Sequence, residues 1–103
     1  MGDFDGQVAV ITGGARGIGA EIARKLASGG AHVVCGDVLD SAAIVDEIMA
    51  AGGSAEGLSV DVTDAAAAAE AIKAISTDHG RLDILVNNAG ITRDTLLARM
   101  SPE

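Results

Sequence analysis

Aromatic residues are almost absent from this sequence of 103 residues, which has one phenylalanine, Phe4, and neither tyrosine nor tryptophan. A hydrophobic core must therefore be built from Val, Ile, Leu and Ala, and a hydrophobic fraction of 49% suits one packed domain. The single cysteine, Cys35, excludes an intrachain disulfide framework. No apolar run approaches the roughly 18 residues of a membrane span.

Positive charge is also scarce, with 7 basic against 15 acidic residues and a net charge of −8. This balance argues against nucleic acid and against an anionic membrane surface, because both are bound through Lys and Arg. Residues 1–7 are acidic and lack the pattern of a signal peptide. We therefore expect a soluble, cytoplasmic protein.

The most informative stretch is rich in glycine and runs from Ile11 to Gly19 (ITGGARGIG). The apolar run 8–11 precedes it and an amphipathic run follows, which predicts strand, turn and helix. Glycines permit a tight turn and remove Cβ atoms that would hold a ligand away. The helix would point unpaired N–H groups and a positive dipole end into the turn, where a pyrophosphate fits. Asp37 follows at the distance typical of dinucleotide sites. The structural alternative is a tight connection without a ligand.

The remaining chain alternates predicted strands and helices. The predicted strands are Val8–Thr12, His32–Asp37, 55–60 and 84–86. The predicted helices are Gly17–Ser28 with Gly29 as a left-handed cap, a helix capped by Asp40 or Ser41 and stopped by Gly52 and Gly53, and one that starts at Thr63 or Asp64 and ends before Gly80. Their predicted buried sides hold Ile18, Ile22 and Leu26, then Ile44, Val45, Ile48 and Met49, then Ile72 and Ile75. Residues 93–100 could begin a fourth helix. The order β-α-β-α-β-α-β predicts an α/β fold with a doubly wound parallel sheet.

Three motifs together resemble those of short-chain dehydrogenases/reductases. Residues 12–19 (TGGARGIG) are similar to the family's TGxxxGxG motif, 87–90 (NNAG) to the motif after its fourth strand, and 61–62 (DV) to its adenine-contacting pair. Residues 87–97 (NNAGITRDTLL) are especially similar to the 3-oxoacyl-ACP reductase branch. The resemblance covers the whole chain but less than half of a family member. It implies that residues 1–103 are the N-terminal part of one NAD(P)-binding Rossmann domain, truncated after the fourth strand, with no second domain.

The same resemblance implies the function and the cofactor-binding residues. The intact enzyme would transfer hydride between nicotinamide and a carbonyl or alcohol carbon, with a 3-oxoacyl thioester of fatty acid biosynthesis as substrate. Its cofactor-binding residues would be Gly13, Ala15, Arg16, Gly17, Ile18, Gly19, Asp37, Val38, Asp61, Val62, Asn87, Ala89 and Gly90. Structural alternatives remain open for some of them. Ile18 could pack the helix on the sheet, Asp37 could be a solvated carboxylate or a cap, and Asp61 could cap the next helix. Asn87 and Asn88 could hold the fourth strand through their side-chain amides.

Asp37 and Arg16 favour different cofactors. A carboxylate at the end of the second strand accepts hydrogen bonds from the adenosine ribose and repels the 2′-phosphate of NADP. Arg16 occupies a position where a basic residue of the family often meets that phosphate, or it is an exposed side chain at the helix start. We expect NAD to be preferred, since Val38 offers no compensating positive charge, and NADP to be possible.

The catalytic residues of that family are a Tyr with a Lys, a Ser and an Asn, all beyond the fourth strand, and this sequence has no tyrosine. We therefore assign no catalytic residue and expect this chain alone to be inactive. We also expect a homo-oligomer. Separately, we expect the isolated chain to self-associate, because strand 84–86 would form an open sheet edge and the helices that cover that side of the sheet would be missing. The alternative function is a non-catalytic nucleotide-binding or oligomerisation module. Cys35 is interpreted as a buried inert thiol, and His32 and His79 as loop-edge residues without metal-ligand partners, so no metal is expected.

Overall fold

The computed structural model describes residues 2–15, 17–61 and 63–88, together with the backbone of 97–100. Its elements are β1 (Val8–Thr12), α1 (Gly17–Ser28), β2 (His32–Asp37), α2 (Ala42–Ala50), β3 (Ser54–Ser59), α3 (Ala65–His79), β4 (Ile84–Asn87) and β5 (Leu97–Met100). None of the helices in these ranges is long and apolar enough to cross a membrane.

The strands form one sheet in the order β3-β2-β1-β4-β5, with β1 to β4 parallel. All five residues of β1 are buried, because helices cover both faces of the sheet. Ala9 and Ile11 pack in the core beneath α1 and α2, and Val8 and Val10 pack in the core beneath α3. The doubly wound fold predicted from the sequence is thereby confirmed.

The ends of α3 also follow the prediction. Asp64 is its N-cap, and the Asp64 carboxylate accepts a hydrogen bond of 3.1 Å from the Ala67 N–H. Gly80 ends the helix in the left-handed conformation, with φ of 75°.

At the end of α1 the predicted cap is wrong, because Gly30 and not Gly29 has a positive φ, of 100°. Gly29 still donates its N–H to carbonyls of the last helical turn, so the chain reverses one residue later.

Both candidate caps of α2 contribute, although in different ways. Ser41 occupies the N-cap position, but its hydroxyl donates to the Cys35 carbonyl over 3.2 Å. The Asp40 carboxylate accepts a hydrogen bond of 2.9 Å from the Ala42 N–H. The strand that follows α2 begins at Ser54, one residue before the predicted start.

The buried sides of α1 and α2 differ from the prediction. The face of α1 that meets the sheet carries only small residues, which are Gly19, Ala20, Ala23 and Ala27. This helix can therefore lie close to the strands, while Ile22 and Leu26 pack half-buried at its sides. Ile18 is 66% exposed and does not pack the helix on the sheet. Met49 of α2 is also exposed, because Ile44 and Ile48 already form the narrow stripe that faces the core.

The last described strand corrects the predictions for the end of the chain. Residues 97–100 form β5 and not a helix, and β5 pairs antiparallel with β4 from Asn87↔Leu97 to Ile84↔Met100. The strand forms because the outer N–H and C=O groups of β4 would otherwise lack hydrogen-bond partners. The predicted open edge at 84–86 is therefore covered, and self-association no longer follows from it.

Candidate dinucleotide site

The candidate site lies where the chain leaves the carboxyl ends of the central strands. Thr12 of β1 is in register with Gly36 of β2 on one side and with Asn87 of β4 on the other. The chain runs from β1 through β2 to β3 on one side and then crosses back to β4 on the other side, so the strand order reverses between β1 and β4. Ligands of open α/β sheets bind in the crevice at such a switch point.

The glycine turn between β1 and α1 is anchored on β2. The N–H groups of Gly13 and Gly14 both donate to the Gly36 carbonyl, over 2.7 and 3.2 Å. Gly13 has a φ of 69° and Gly17 a φ of 63°, which side chains with a Cβ adopt only with strain. Because α1 begins at Gly17, the N–H groups of its first turn have no acceptor within the helix.

The two glycines at the start of α1 are needed for different reasons. A Cβ on Gly19 would overlap the Gly13 carbonyl and would lie 2.9 Å from Nδ2 of Asn88, so the helix approaches the turn too closely for any side chain. A Cβ on Gly17 would meet nothing within 4 Å. Gly17 therefore borders open space at the positive end of the helix, which fits a phosphate group.

Asp37 ends β2 beside this turn. One of its carboxylate oxygens accepts from the Ala15 N–H and the other from the Leu39 N–H, each over 3.1 Å. The carboxylate thus connects the glycine turn to the end of β2, which gives it a structural role. Val38 follows Asp37 and is 65% exposed.

A polar network joins the ends of β1 and β4. The Thr12 hydroxyl, in a residue that is 3% exposed, lies 3.2 Å from the Asn87 side-chain oxygen and 3.3 Å from the Val86 carbonyl. The same hydroxyl accepts from the Asn88 N–H over 2.9 Å, and the Asn88 amide donates to the Gly13 carbonyl over 3.3 Å. The asparagines thus hold β4 to β1 and to the turn, as the structural alternative predicted.

Thr12 and Asn88 were not among the predicted cofactor-binding residues, although they organise this end of the sheet. A sequence signal for Thr12 existed, because it is the one polar residue in β1 and directly precedes the turn. Asn88 could have been found in the sequence as the second asparagine of the motif at residues 87–90.

Asp61 lies after β3 and is fully exposed. Its carboxylate accepts from the N–H and the hydroxyl of Thr63, over 2.9 and 2.6 Å, and the Thr63 hydroxyl is the main cause of its lowered pKa. Asp61 therefore closes a local turn and does not cap α3, which is capped by Asp64. The other predicted contacts, Arg16, Val62, Ala89 and Gly90, lie outside the described residues.

The structure confirms the interpretation of the cysteine and corrects that of the two histidines. Cys35 is fully buried between the sheet and its helices, and burial raises the pKa of its thiol to about 11, as expected of an inert core cysteine. His32 and His79, by contrast, were expected to have no ligand partners, and the structure brings both to Glu56. Their separation in the sequence concealed this cluster, because only the fold brings β2, β3 and α3 together.

The sequence profile of the family described as short chain dehydrogenase matches residues 7–103. The chain belongs to this family. Among curated members, 3-oxoacyl-acyl-carrier-protein reductase FabG of Escherichia coli is 43% identical over 102 residues, covering 98% of this chain and 41% of that protein. The hydroxyacyl-CoA dehydrogenase ChsB1 of Mycobacterium tuberculosis is 47% identical over 107 residues, covering 98% and 34%.

Solved structures of the family have the same fold. A metagenomic short-chain oxidoreductase, crystallised in complex with NADP, superposes with a TM-score of 0.80 and 51% identity, over 85% of this chain and 41% of that one. The chain thus spans about two fifths of the length of the FabG relative and of this structural neighbour.

Proposed function

We propose that this chain binds NAD(P) at its glycine turn and is the cofactor-binding portion of an oxidoreductase. That enzyme would transfer hydride between nicotinamide and a carbonyl or alcohol carbon. The observation that supports this most directly is the register of Thr12 with Gly36 and Asn87, which brings the turn, the start of α1 and Asp37 to one crevice. The dinucleotide supplies the hydride chemistry when bound, and the chain holds and orients it.

Each group at the crevice has a binding role in this proposal. The first turn of α1 receives the pyrophosphate beside Gly17, and the exposed Ile18 contributes its backbone there. Asp37 accepts hydrogen bonds from the ribose hydroxyls, Asp61 binds the adenine amino group, and Asn87 lies toward the second ribose. The family resemblance supports the remaining proposed cofactor contacts, which are Gly13, Ala15, Arg16, Gly19, Val38, Val62, Ala89 and Gly90.

We further propose a 3-oxoacyl thioester, as used in fatty acid biosynthesis, for the substrate. The support is that curated relatives of the chain include a 3-oxoacyl-acyl-carrier-protein reductase and a hydroxyacyl-CoA dehydrogenase. The catalytic tyrosine that the family resemblance implies is not among these 103 residues. We therefore expect the chain to bind NADH without oxidising it when an acetoacetyl thioester is added. Loss of NADH absorbance well above a protein-free blank would contradict this.

NAD is the cofactor that we propose as preferred. The Asp37 carboxylate stands beside the turn, where it would repel a 2′-phosphate. Calorimetric titration with NADH and NADPH should show tighter NADH binding. Asp37→Asn should change the ratio of the NADPH and NADH dissociation constants by about tenfold or more in favour of NADPH, so that the preference narrows or reverses. Asparagine keeps an acceptor for the Ala15 N–H while removing the charge. Glu70→Gln, an exposed carboxylate on α3, removes the same charge and should leave the ratio unchanged. Tighter NADPH binding by the unmutated chain would refute the preference.

The alternative is a non-catalytic nucleotide-binding or oligomerisation module, which the lack of tyrosine favours. Absence of NAD(P)H binding in the titration would refute both the oxidoreductase and the nucleotide-binding module. A homo-oligomer stays a prediction. Sedimentation velocity at several concentrations tests it, and a monomer at every concentration would contradict it.

A further inference from the structure

A second cluster of side chains lies at the opposite end of β2 from Asp37. We call it the His–Glu–His cluster, and it consists of His32, Glu56 and His79. His32 begins β2, and five steps of about 3.3 Å each along the strand lead from it to Asp37. The cluster is therefore remote from the candidate dinucleotide site and is not explained by the proposed function.

The topology explains why these residues meet. His32 is in register with Ser54, and Val34 with Glu56, so His32 and Glu56 project from the same face of neighbouring strands. That face is the one covered by α3, since Val34 packs in the core with Ile75. The last residue of α3 is His79, and it therefore arrives over Glu56.

The three side chains already converge through hydrogen bonds. The Nε2 atoms of His32 and His79 lie 2.9 and 2.7 Å from the same carboxylate oxygen of Glu56. The possible ligand atoms all lie within 4.8 Å of one another, and the two imidazole ring centres are 4.7 Å apart. The side chains are 24%, 40% and 29% exposed, so the cluster is open to solvent on one side.

We propose that the His–Glu–His cluster binds a divalent transition-metal ion, with Zn²⁺ as the representative ion. Two imidazoles and one carboxylate are a donor set that Zn²⁺ takes in proteins, with the fourth position left to water. Ligand atoms around a tetrahedral Zn²⁺ lie about 3.4 Å apart, given Zn–N and Zn–O distances near 2.1 Å. The two N–O distances of 2.9 and 2.7 Å would open by about half an ångström, and a pair of ligand atoms at the 4.8 Å limit would close by about 1.4 Å. Rotation of partly exposed side chains can provide both changes.

Ser54 supports the same assignment from outside the ligand set. Its hydroxyl lies 2.5 Å from Nδ1 of His32, the ring nitrogen that does not face Glu56. A hydroxyl can donate or accept, so it can accept Nδ1–H when Nε2 gives its lone pair to a metal. Such a partner fixes the ring orientation and the tautomer of a metal-binding histidine. On binding, each Nε2 offers its lone pair and the ring keeps one proton on Nδ1, so a neutral imidazole changes tautomer and an imidazolium releases one proton to solvent, while the carboxylate stays ionised.

The test uses tag-free protein, because the chain has no other histidine than these two. Titration with Zn²⁺ in competition with a chromophoric chelator should give one site per chain. His79→Gln, His32→Gln and Glu56→Gln should each lower the affinity by at least about tenfold, since even loss of an outer partner costs that much. Glu70→Gln, an exposed carboxylate on the same helix as His79, is the matched control and should leave it unchanged.

Two further measurements keep the test decisive if a variant folds poorly. His79 is the terminal residue of α3, so His79→Gln should retain the far-UV circular dichroism of the unmutated chain. Substitution of Co²⁺ should give tetrahedral d–d absorption without a thiolate charge-transfer band, because Cys35 is fully buried. Absence of Zn²⁺ binding, equal affinity in folded His79→Gln, or a thiolate band would each overturn the proposal. None of these outcomes depends on NAD(P)H binding.

Discussion

Replacing the two glycines at the start of α1 should destabilise the protein by different amounts and for different reasons. Gly17 has a φ of 63° and open space where a Cβ would stand, so Gly17→Ala introduces conformational strain without a clash. The left-handed conformation costs about 1–2 kcal/mol for alanine. Part of this is offset by about 0.4–1 kcal/mol, because alanine restricts the unfolded chain more than glycine does. We therefore expect a net loss of about 1 kcal/mol in the free energy of unfolding.

Gly19→Ala should cost more, although the residue lies inside a helix where alanine is otherwise favourable. Its Cβ would overlap the Gly13 carbonyl and lie 2.9 Å from Nδ2 of Asn88, so backbone must move. Overpacking of this kind costs about 1–3 kcal/mol, and occasionally more. Because the added Cβ would overlap main-chain atoms, we expect Gly19→Ala to lower the free energy of unfolding by an amount at the upper end of this range, about 3 kcal/mol. Gly17→Asn should recover most of the loss at Gly17, because asparagine tolerates the left-handed region.

Urea unfolding followed by far-UV circular dichroism measures these differences, since the chain has no tyrosine or tryptophan for fluorescence. Gly52→Ala is the matched control, because Gly52 also has a positive φ, of 92°, and open space around it, but lies in the turn after α2. It should lower stability about as much as Gly17→Ala while leaving NADH affinity unchanged. A smaller loss for Gly19→Ala than for Gly17→Ala would refute the close approach of α1. Gly17→Ala should weaken NADH binding, because its methyl group would stand in the space proposed for the phosphate. Equal NADH affinities in Gly17→Ala and Gly52→Ala would refute the phosphate site.

Three further predictions concern the interior and the edges of the sheet. Thr12→Val should lower the free energy of unfolding by about 1–3 kcal/mol in urea melts, because the Asn88 N–H loses its acceptor, whereas Thr12→Ser should retain most of the stability. The Arg81 guanidinium holds the pKa of Asp83 below its ordinary value, so the stability that this pair contributes is present above that value and is lost as the pH falls below about 4. Asp83→Asn should flatten the acid limb of a stability–pH curve, and an unchanged limb would show that the pair contributes nothing. Cys35 should resist a thiol reagent at pH 8 in the native protein and react fully in urea, and rapid native labelling would contradict its burial.

Local sequence was sufficient for most of the element boundaries. β1, α1 and β2 begin and end where the apolar runs and the flanking glycines predicted, and Asp64 and Gly80 delimit α3 as expected. Hydrogen bonds inside a helix and at its caps join residues three or four apart, so a short stretch of sequence contains the information. The glycine turn is equally local, because positive φ values are tolerated by few other residues.

Packing between elements decided which face of a helix is buried. Ile18 and Met49 are apolar and have the right periodicity, yet both are exposed. For Ile18 the reason is the short distance between α1 and the sheet, which admits only glycine and alanine on the contacting face. Met49 is exposed because Ile44 and Ile48 already form the narrow face of α2 that meets the core. The sequence shows the small residues, but only the tertiary structure shows that the helix uses them as its contact surface.

Contacts between distant residues were decided by tertiary structure alone. The pairing of β5 with β4 replaces the predicted helix at 97–100, because it gives hydrogen-bond partners to the outer edge of a strand that is distant in the local sequence pattern. Residues 93–96 of that predicted helix lie outside the described residues. The contact of Asp37 with the Ala15 N–H and the convergence of His32 and His79 on Glu56 likewise depend on neighbouring strands and the helix above them. The sequence by itself determined that a parallel α/β sheet with a glycine turn would form, since those features follow from local periodicity. The partners of its charged side chains depend on strand order and register, which exist only once the sheet has assembled.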